Sequence, residues 1–363
     1  MKHGRRRSGA RVEWTWGRGS CVHVPDSPHR RAGGLERKRH RHALAPSLYC
    51  GVMFSGPPSI PPSCPDPLAR APRVAGGGPL PHARLHPAPA ALQGAVVAIV
   101  LSDTRGVASS DAQRLSHFPA TPLVCVSWYR GLDVGFIEPA PDGPRWRPFG
   151  AAATLSGSHS APTVAWAPTG GLIGMICFTA DAARTLFGIA LPDVHDRVLD
   201  AHACLGRDWH PLLDALLGAD GDADMLAAID RHLAPRWQAL RPATPLSSLR
   251  NAGRSWVERL ALQAREWRGT HSPRQVERRI KTYSGRSLRE WQALVRTESA
   301  FFAARDRFEA GTAFNWATLA LDEGFADQAH LSREVKRITG FSPSEFTQRF
   351  IDDESFWMYR LWV

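Results

Sequence analysis

The feature that most constrains this chain is a repetition of itself. Setting residues 275–291 above residues 330–346 places Arg278 on Arg333, Lys281 on Lys336, Gly285 on Gly340, Ser287 on Ser342 and Glu290 on Glu345, at a constant offset of 55 residues. Apolar positions coincide too: Val276 with Leu331, Ile280 with Val335 and Tyr283 with Ile338. An interval that short holds one supersecondary unit, so the chain is expected to use the same unit twice.

The unit reads as helical. Val276, Ile280 and Tyr283 are spaced i, i+4, i+7 and form one buried stripe, as do Leu331, Val335 and Ile338, and the opposite face is polar and basic. Ser272 followed by Pro273 starts the first of these helices and Asp327 caps the second. Gly285 and Gly340 end them as left-handed caps. Ser287 with Glu290, and Ser342 with Glu345, then supply S-x-x-E capping boxes for a further helix in each copy.

A short helix over Asn315–Glu323, with Trp316, Leu319 and Ala320 facing inward, precedes Gly324-Phe325-Ala326 and the second basic helix. Helix, glycine turn and basic helix is the helix-turn-helix plan. The first copy has its leading helix over Trp256–Trp267 and a less regular turn over Arg268–His271. Between the copies Leu294, Glu298, Phe301, Arg305 and Phe308 mark one helix over about Glu290–Glu309. At 1.5 Å per residue it spans roughly 28 Å, approaching the roughly 34 Å between successive major-groove faces of B-DNA.

Upstream the pattern changes. Ala95–Leu101, Leu123–Trp128, Thr163–Trp166 and Gly174–Phe178 are short apolar runs, rich in β-branched and aromatic residues and bounded by Gly or Pro, and they predict strands. Thr179 caps a helix over Asp181–Phe187 that stops at Gly188, and Trp209–Leu217 and Asp224–Ala239 carry helical spacing. Trp128, Trp146 and Trp166 suit a strand core better than a ligand contact. Gly157-Ser158-His159-Ser160-Ala161 lacks the closing glycine of a nucleophile elbow, and neither a metal-binding cupin pattern nor a four-ligand zinc set is present. No cofactor, metal or catalytic residue is expected.

Net charge misleads if read whole. The chain of 363 residues carries +11, but residues 1–90 alone hold 15 Lys plus Arg against 4 Asp plus Glu, and residues 91–363 are balanced. The same quarter holds 14 of the 29 prolines and 7 of the 15 histidines, a composition that predicts a disordered leader, with Met53 one candidate for a later start. Residues 247–350 carry 18 basic against 12 acidic side chains, and residues 91–246 carry 11 against 15. The longest apolar run is far short of a membrane span, and six cysteines without a C-x-x-C pair read as reduced thiols in a cytoplasmic protein.

The run Gly324-Phe325-Ala326-Asp327-Gln328-Ala329-His330-Leu331-Ser332-Arg333-Glu334-Val335-Lys336-Arg337-Ile338-Thr339-Gly340-Phe341-Ser342-Pro343 resembles the signature of AraC/XylS-type transcription regulators. The resemblance covers about residues 250–350, and Arg296 and Ala300 match the linker's arginine and alanine. Leu288 departs from the usual proline. Composition, the strand and helix patterns and the resemblance together predict an α+β chain: a disordered basic leader over 1–90, a β-rich effector or dimerisation domain closed by helices over 91–246, an all-α domain of two helix-turn-helix modules over 247–350, and a tail over 351–363; the resemblance supplies the two modules and the effector or dimerisation role. It implies a sequence-specific regulator, an activator in most members, acting on double-stranded promoter DNA beside RNA polymerase, with room for a small-molecule effector and a homodimer. A DNA-binding domain fused to a cysteine-based alkyl-acceptor repair enzyme is the alternative, and it needs an activated thiol.

By the same resemblance Arg274, Glu277 and Arg278 face the groove from the first basic helix, and Gln328, His330 and Arg333 from the second. Their chemistry suits that role: arginine donates twice to guanine, glutamine pairs with adenine and glutamate accepts from the cytosine amino group. Lys281, Lys336 and Arg337 are expected on phosphates, which set register and affinity.

Overall fold

The computed structural model describes residues 64–74, 81–240, 252–311 and 315–362. Among the described residues ten strands form two antiparallel sheets: β1 (His82–Pro87), β2 (Val96–Asp103), β3 (Leu115–Phe118), β4 (Val124–Arg130), β5 (Gly135–Glu138), β6 (Arg145–Pro148), β7 (Ala153–Ser156), β8 (Thr163–Trp166), β9 (Leu172–Phe178) and β10 (Val198–Asp200). The larger sheet runs β1-β2-β9-β4-β7-β10 and the smaller β3-β8-β5-β6.

The larger sheet is covered on both faces, which explains why its central strands read as unbroken apolar runs. Along β4, Val124, Val126 and Trp128 point to a layer of helices, and the intervening Cys125, Ser127 and Tyr129 face the smaller sheet. Trp128 lies opposite Gly174 in the β4–β9 register, and a Cβ added at Gly174 would fall inside the indole ring. The glycine therefore makes the floor on which the largest buried side chain of that strand lies.

The helical layer comprises α1 (Ala180–Phe187), α2 (Leu191–Val194), α3 (Ala201–Cys204), α4 (His210–Gly218) and α5 (Asp222–Leu240). The first is bounded as its residues dictate: Thr179 accepts from the Ala182 amide, and Gly188 ends the helix at φ +66°. Its core continues without a break into the next helices, α6 (Ala252–Arg268), α7 (Pro273–Ser284) and α8 (Leu288–Glu309), through Trp256, Leu260, Val276, Ile280 and Trp291. The Trp256 and Trp291 rings meet edge to face at 4.7 Å. A second core of Ala300, Leu319, Ala320, Phe325, Leu331 and Val335 holds α9 (Trp316–Asp322) and α10 (Gln328–Thr339). No helix among the described residues is long and apolar enough to cross a membrane.

Two sequence expectations are corrected. The leader does not extend to residue 90. β1 pairs with β2 along its whole length, and Arg84 donates two hydrogen bonds of 2.7 Å to Asp222 on α5. Residues 64–74 are anchored as well, because Ala71 is fully buried and Pro72 bridges to Asp353. The rest of the leader, residues 1–63 and 75–80, lies outside the described residues, as does the boundary expected near residue 246.

Residues 351–363 are no tail either. After α11 (Pro343–Asp352), a helical turn over Glu354–Phe356 leads into α12 (Trp357–Trp362), and Phe356, Met358 and Tyr359 are buried. The turn is set by Arg349, which is buried against Asp353 at 2.9 Å and donates to the carbonyls of Leu68 and Ala69. A buried guanidinium with four acceptors and an aromatic ring beneath it, Phe341 at 4.8 Å, is satisfied where an unpaired one would not be. Composition alone hid both segments, since their order comes from partners some 280 residues away.

The Trp128–Gly174 contact yields a test. Gly174→Ala overpacks a site with no room for a methyl group and should cost about 1–3 kcal/mol. Urea unfolding of the two proteins side by side measures it, and an unchanged midpoint would contradict the packing described.

Candidate nucleic-acid interface

The two repeated units are both helix-turn-helix pairs. In the first, α6 leads through Gly269–His271 to α7, and in the second α9 leads through Gly324–Asp327 to α10. Their caps correspond position for position. Ser272 accepts from the Gln275 amide while the Gln275 side chain accepts from the Ser272 amide at 2.9 Å, a complete capping box, and Asp327 accepts from the His330 amide at 2.6 Å. Gly285 and Gly340 end the helices at φ +83° and +86°, where a residue with a Cβ would be strained. Downstream, Ser287 and Glu290 form the reciprocal box, whereas the Glu345 carboxylate turns to Arg349 at 3.3 Å and leaves Ser342 to cap alone.

One correspondence was present in the sequence but not singled out. Ser284 and Thr339 stand at the same offset of 55, both buried just before the capping glycine. Ser284 Oγ donates to the carbonyls of Ile280 and Arg286, and Thr339 Oγ1 to those of Val335 and Phe341, which are the equivalent pairs. A hydroxyl at this position closes the last turn and fixes how the chain leaves the helix. Any residue type aligned across the repeat, and not only the charged ones, could have drawn attention to it.

The structure brings Arg274, Glu277, Arg278 and Lys281 to one exposed face of α7, where with Pro192 and Thr282 they line an open groove of about 570 Å³. Glu277 is engaged by Lys281 at 3.2 Å. On α10, Gln328, Arg333, Lys336 and Arg337 are exposed, with Arg337 held by Glu334 at 2.7 Å. His330 differs from the expectation that it faces outward. Its ring packs edge to face on Phe325 at 5.4 Å, and Nδ1 accepts from the Ala326 amide at 3.4 Å, so it closes the turn. Arg296 of α8 braces the same turn, donating to the Gly324 carbonyl at 3.4 Å with its guanidinium 5.8 Å from the Phe325 ring. At 22 residues α8 is about 33 Å long, closer to one B-DNA repeat than the sequence spacing gave.

The far ends of both basic helices meet the β-rich part of the chain, and each does so at a histidine. Beyond α7, a Cβ on Gly285 would lie 3.2 Å from His195, and Arg286 donates to His195 Nε2 at 3.5 Å. Beyond α10, the Ala120 amide donates to the Ile338 carbonyl at 2.8 Å, and the His117 ring packs on Phe341 at 5.2 Å. Arg286 and Phe341 are themselves equivalent in the repeat. Burial lowers both imidazoles: His117 to about 3, helped by the nearby Arg349 charge, and His195 below its ordinary value despite the opposing pull of Asp196.

Cys177 and Cys204 have the opposite character to an activated nucleophile. The hydrogen bond with Cys125, 3.6 Å away, and then burial hold Cys177 well up, and Cys204 is raised by burial. Trp128 and Trp166 are core, each 1% exposed, and Trp146 leans edge to face on Trp166 at 5.5 Å.

No family model matches this chain, and no curated protein does. Among solved structures it is similar to ToxT from Vibrio cholerae, with 13% identity over 64% of this chain and 94% of that one, at a TM-score of 0.32. An apo ToxT variant from Vibrio cholerae strain SCE256 gives 11% identity over 68% and 96%, at 0.35. Wild-type ToxT of that strain bound to an unsaturated fatty acid gives 11% over 64% and 93%, at 0.31.

The two histidines make the docking of the helices acid-sensitive. Both are neutral in the folded chain at pH 7, and the unfolded chain takes up their protons near pH 6.5 while the fold resists. Stability is therefore complete above about pH 7 and falls as pH drops below 6.5. Thermal midpoints at pH 7.5 and 5.0 should show the loss, and His117→Phe, which keeps a ring against Phe341, should make it smaller.

Proposed function

We propose that this chain is a sequence-specific DNA-binding transcription regulator of the AraC/XylS type. The observation that carries the reading is the matched pair of capped helix-turn-helix units, each with an exposed basic helix, joined by a helix about as long as one turn of B-DNA. Residues 247–350 then act as the DNA-binding part and residues 91–246 as the effector or dimerisation part. Arg274, Arg278, Gln328 and Arg333 read base edges. Lys281, Lys336 and Arg337 set register on phosphates, and Glu277 contributes when it releases Lys281. His330 shapes the second turn and contributes through it.

Promoter DNA is the partner in this reading, with RNA polymerase recruited beside it, so that binding activates transcription. The alkyl-acceptor alternative receives no support, because burial raises the Cys204 thiol and the Cys125 hydrogen bond with burial raises that of Cys177, the reverse of an activated nucleophile.

Gel-shift titration on the DNA upstream of the protein's own gene tests the proposal. Arg333→Ala should lose about 1–3 kcal/mol on the specific site and little on random sequence. Lys336→Ala should weaken both alike and lower the slope of log affinity against log salt by about 1. Indistinguishable binding of Arg333→Ala and wild type to every sequence would overturn the reading.

A further inference from the structure

Between the two sheets lies a cavity of about 110 Å³. Its walls are mostly apolar and include Phe118, Phe136 and Phe149 from the strands and their loops and Trp357 from α12. The rings of Phe136 and Phe149 meet edge to face at 4.9 Å, leaving faces and edges for a further ring to pack on. The closed part of the cavity is smaller than the roughly 150 Å³ apolar cavity that holds benzene in a protein core, and the space is partly open, so a single ring can sit in it with one end towards the opening.

The polar groups on its surface are uncharged. Tyr129 and Thr154 share a hydrogen bond of 3.0 Å, and Ser116 Oγ accepts from Trp357 Nε1 at 2.9 Å. The His159 imidazole is kept neutral at pH 7 by burial. No Lys, Arg, Asp or Glu is among the described residues lining the space. An anion entering it would lose its hydration with no cation to replace it. A hydroxyl or a ring N–H, by contrast, can be matched by neighbouring Ser and Thr hydroxyls.

We propose that this cavity binds a small uncharged aromatic molecule of the phenol class, with its ring packed on the phenylalanines and its hydroxyl paired with one of the lining serine or threonine hydroxyls. α12 forms one side of the site, so the segment that follows the second helix-turn-helix unit touches the occupant. The ligand class does not depend on the regulator reading, and binding is measured without DNA. Failure of one therefore leaves the other standing.

Calorimetry on the full chain at pH 7.5 compares p-cresol with 4-methylbenzoate, which has the same ring and methyl group but carries a charge. p-Cresol should bind, and 4-methylbenzoate at least tenfold more weakly. Ala165→Leu, which fills the space from the smaller sheet, should weaken p-cresol at least tenfold; Ser127→Leu does the same from the larger sheet if the first variant fails to fold. Cys125 also lines the space, so p-cresol should slow its alkylation by N-ethylmaleimide, read by peptide mass, while exposed Cys204 reacts unchanged. Equal or tighter binding of 4-methylbenzoate would overturn the proposal. So would no binding of p-cresol, or binding that neither filling variant weakens and that leaves Cys125 unprotected.

Discussion

Everything in the helical half depends on how its two basic helices end. A helix that stops at a left-handed glycine turns its chain sharply aside, and here both turns deliver the chain onto the β-rich body. Gly285 lies against His195, and the chain after Gly340 lays Phe341 on His117. The N-terminal halves, which carry Arg274, Arg278, Gln328 and Arg333, are left exposed. The mutual position of the two helices is thus set less by α8 alone than by a shared platform that grips equivalent points of both copies.

That platform is rigid for a reason visible in its strands. A sheet covered on one face by α1, α4 and α5 and on the other by a second sheet has no solvated side to yield on. Trp128 over Gly174 is the tightest expression of this, since the strand buries an indole where its neighbour offers only a hydrogen. The cavity lies on the opposite face of the same strand, beside Cys125 and Tyr129. Occupied or empty, it is one residue along β4 from the core that continues into α6 and α7.

What the sequence revealed and what it hid divide by range. Thr179, Gly188, Ser272, Asp327, Gly285 and Gly340 act within four residues of themselves, and each was legible with its role. The longer strands and helices followed from their period, and the aligned charges gave the exposed face of α7 and most of that of α10. The short strands β3, β5, β6 and β7 carry only four residues each and, unlike the equally short β8, hold no apolar run, since Ser, His, Glu, Arg or Thr interrupts them. The histidine contacts, the order of residues 64–74 and α12 depend on residues far away in the chain. His330 shows the same limit inside a motif: position placed it on the helix, and only its contact with Phe325 shows that the half-buried ring leans on the turn.

The participation of α12 in the sandwich bears on how the chain is made. Ser116 receives its hydrogen bond from Trp357, 241 residues later, and Leu68 receives one from Arg349, 281 residues later. During synthesis the strands emerge well before the helix that seals them, so a nascent sandwich would carry an open flank until both helix-turn-helix units have been translated. Contacts of such long range close slowly and leave apolar edges exposed meanwhile. A product truncated before α9 would lack the second helix-turn-helix unit and a finished β domain together, and the cell would meet it as a misfolded chain.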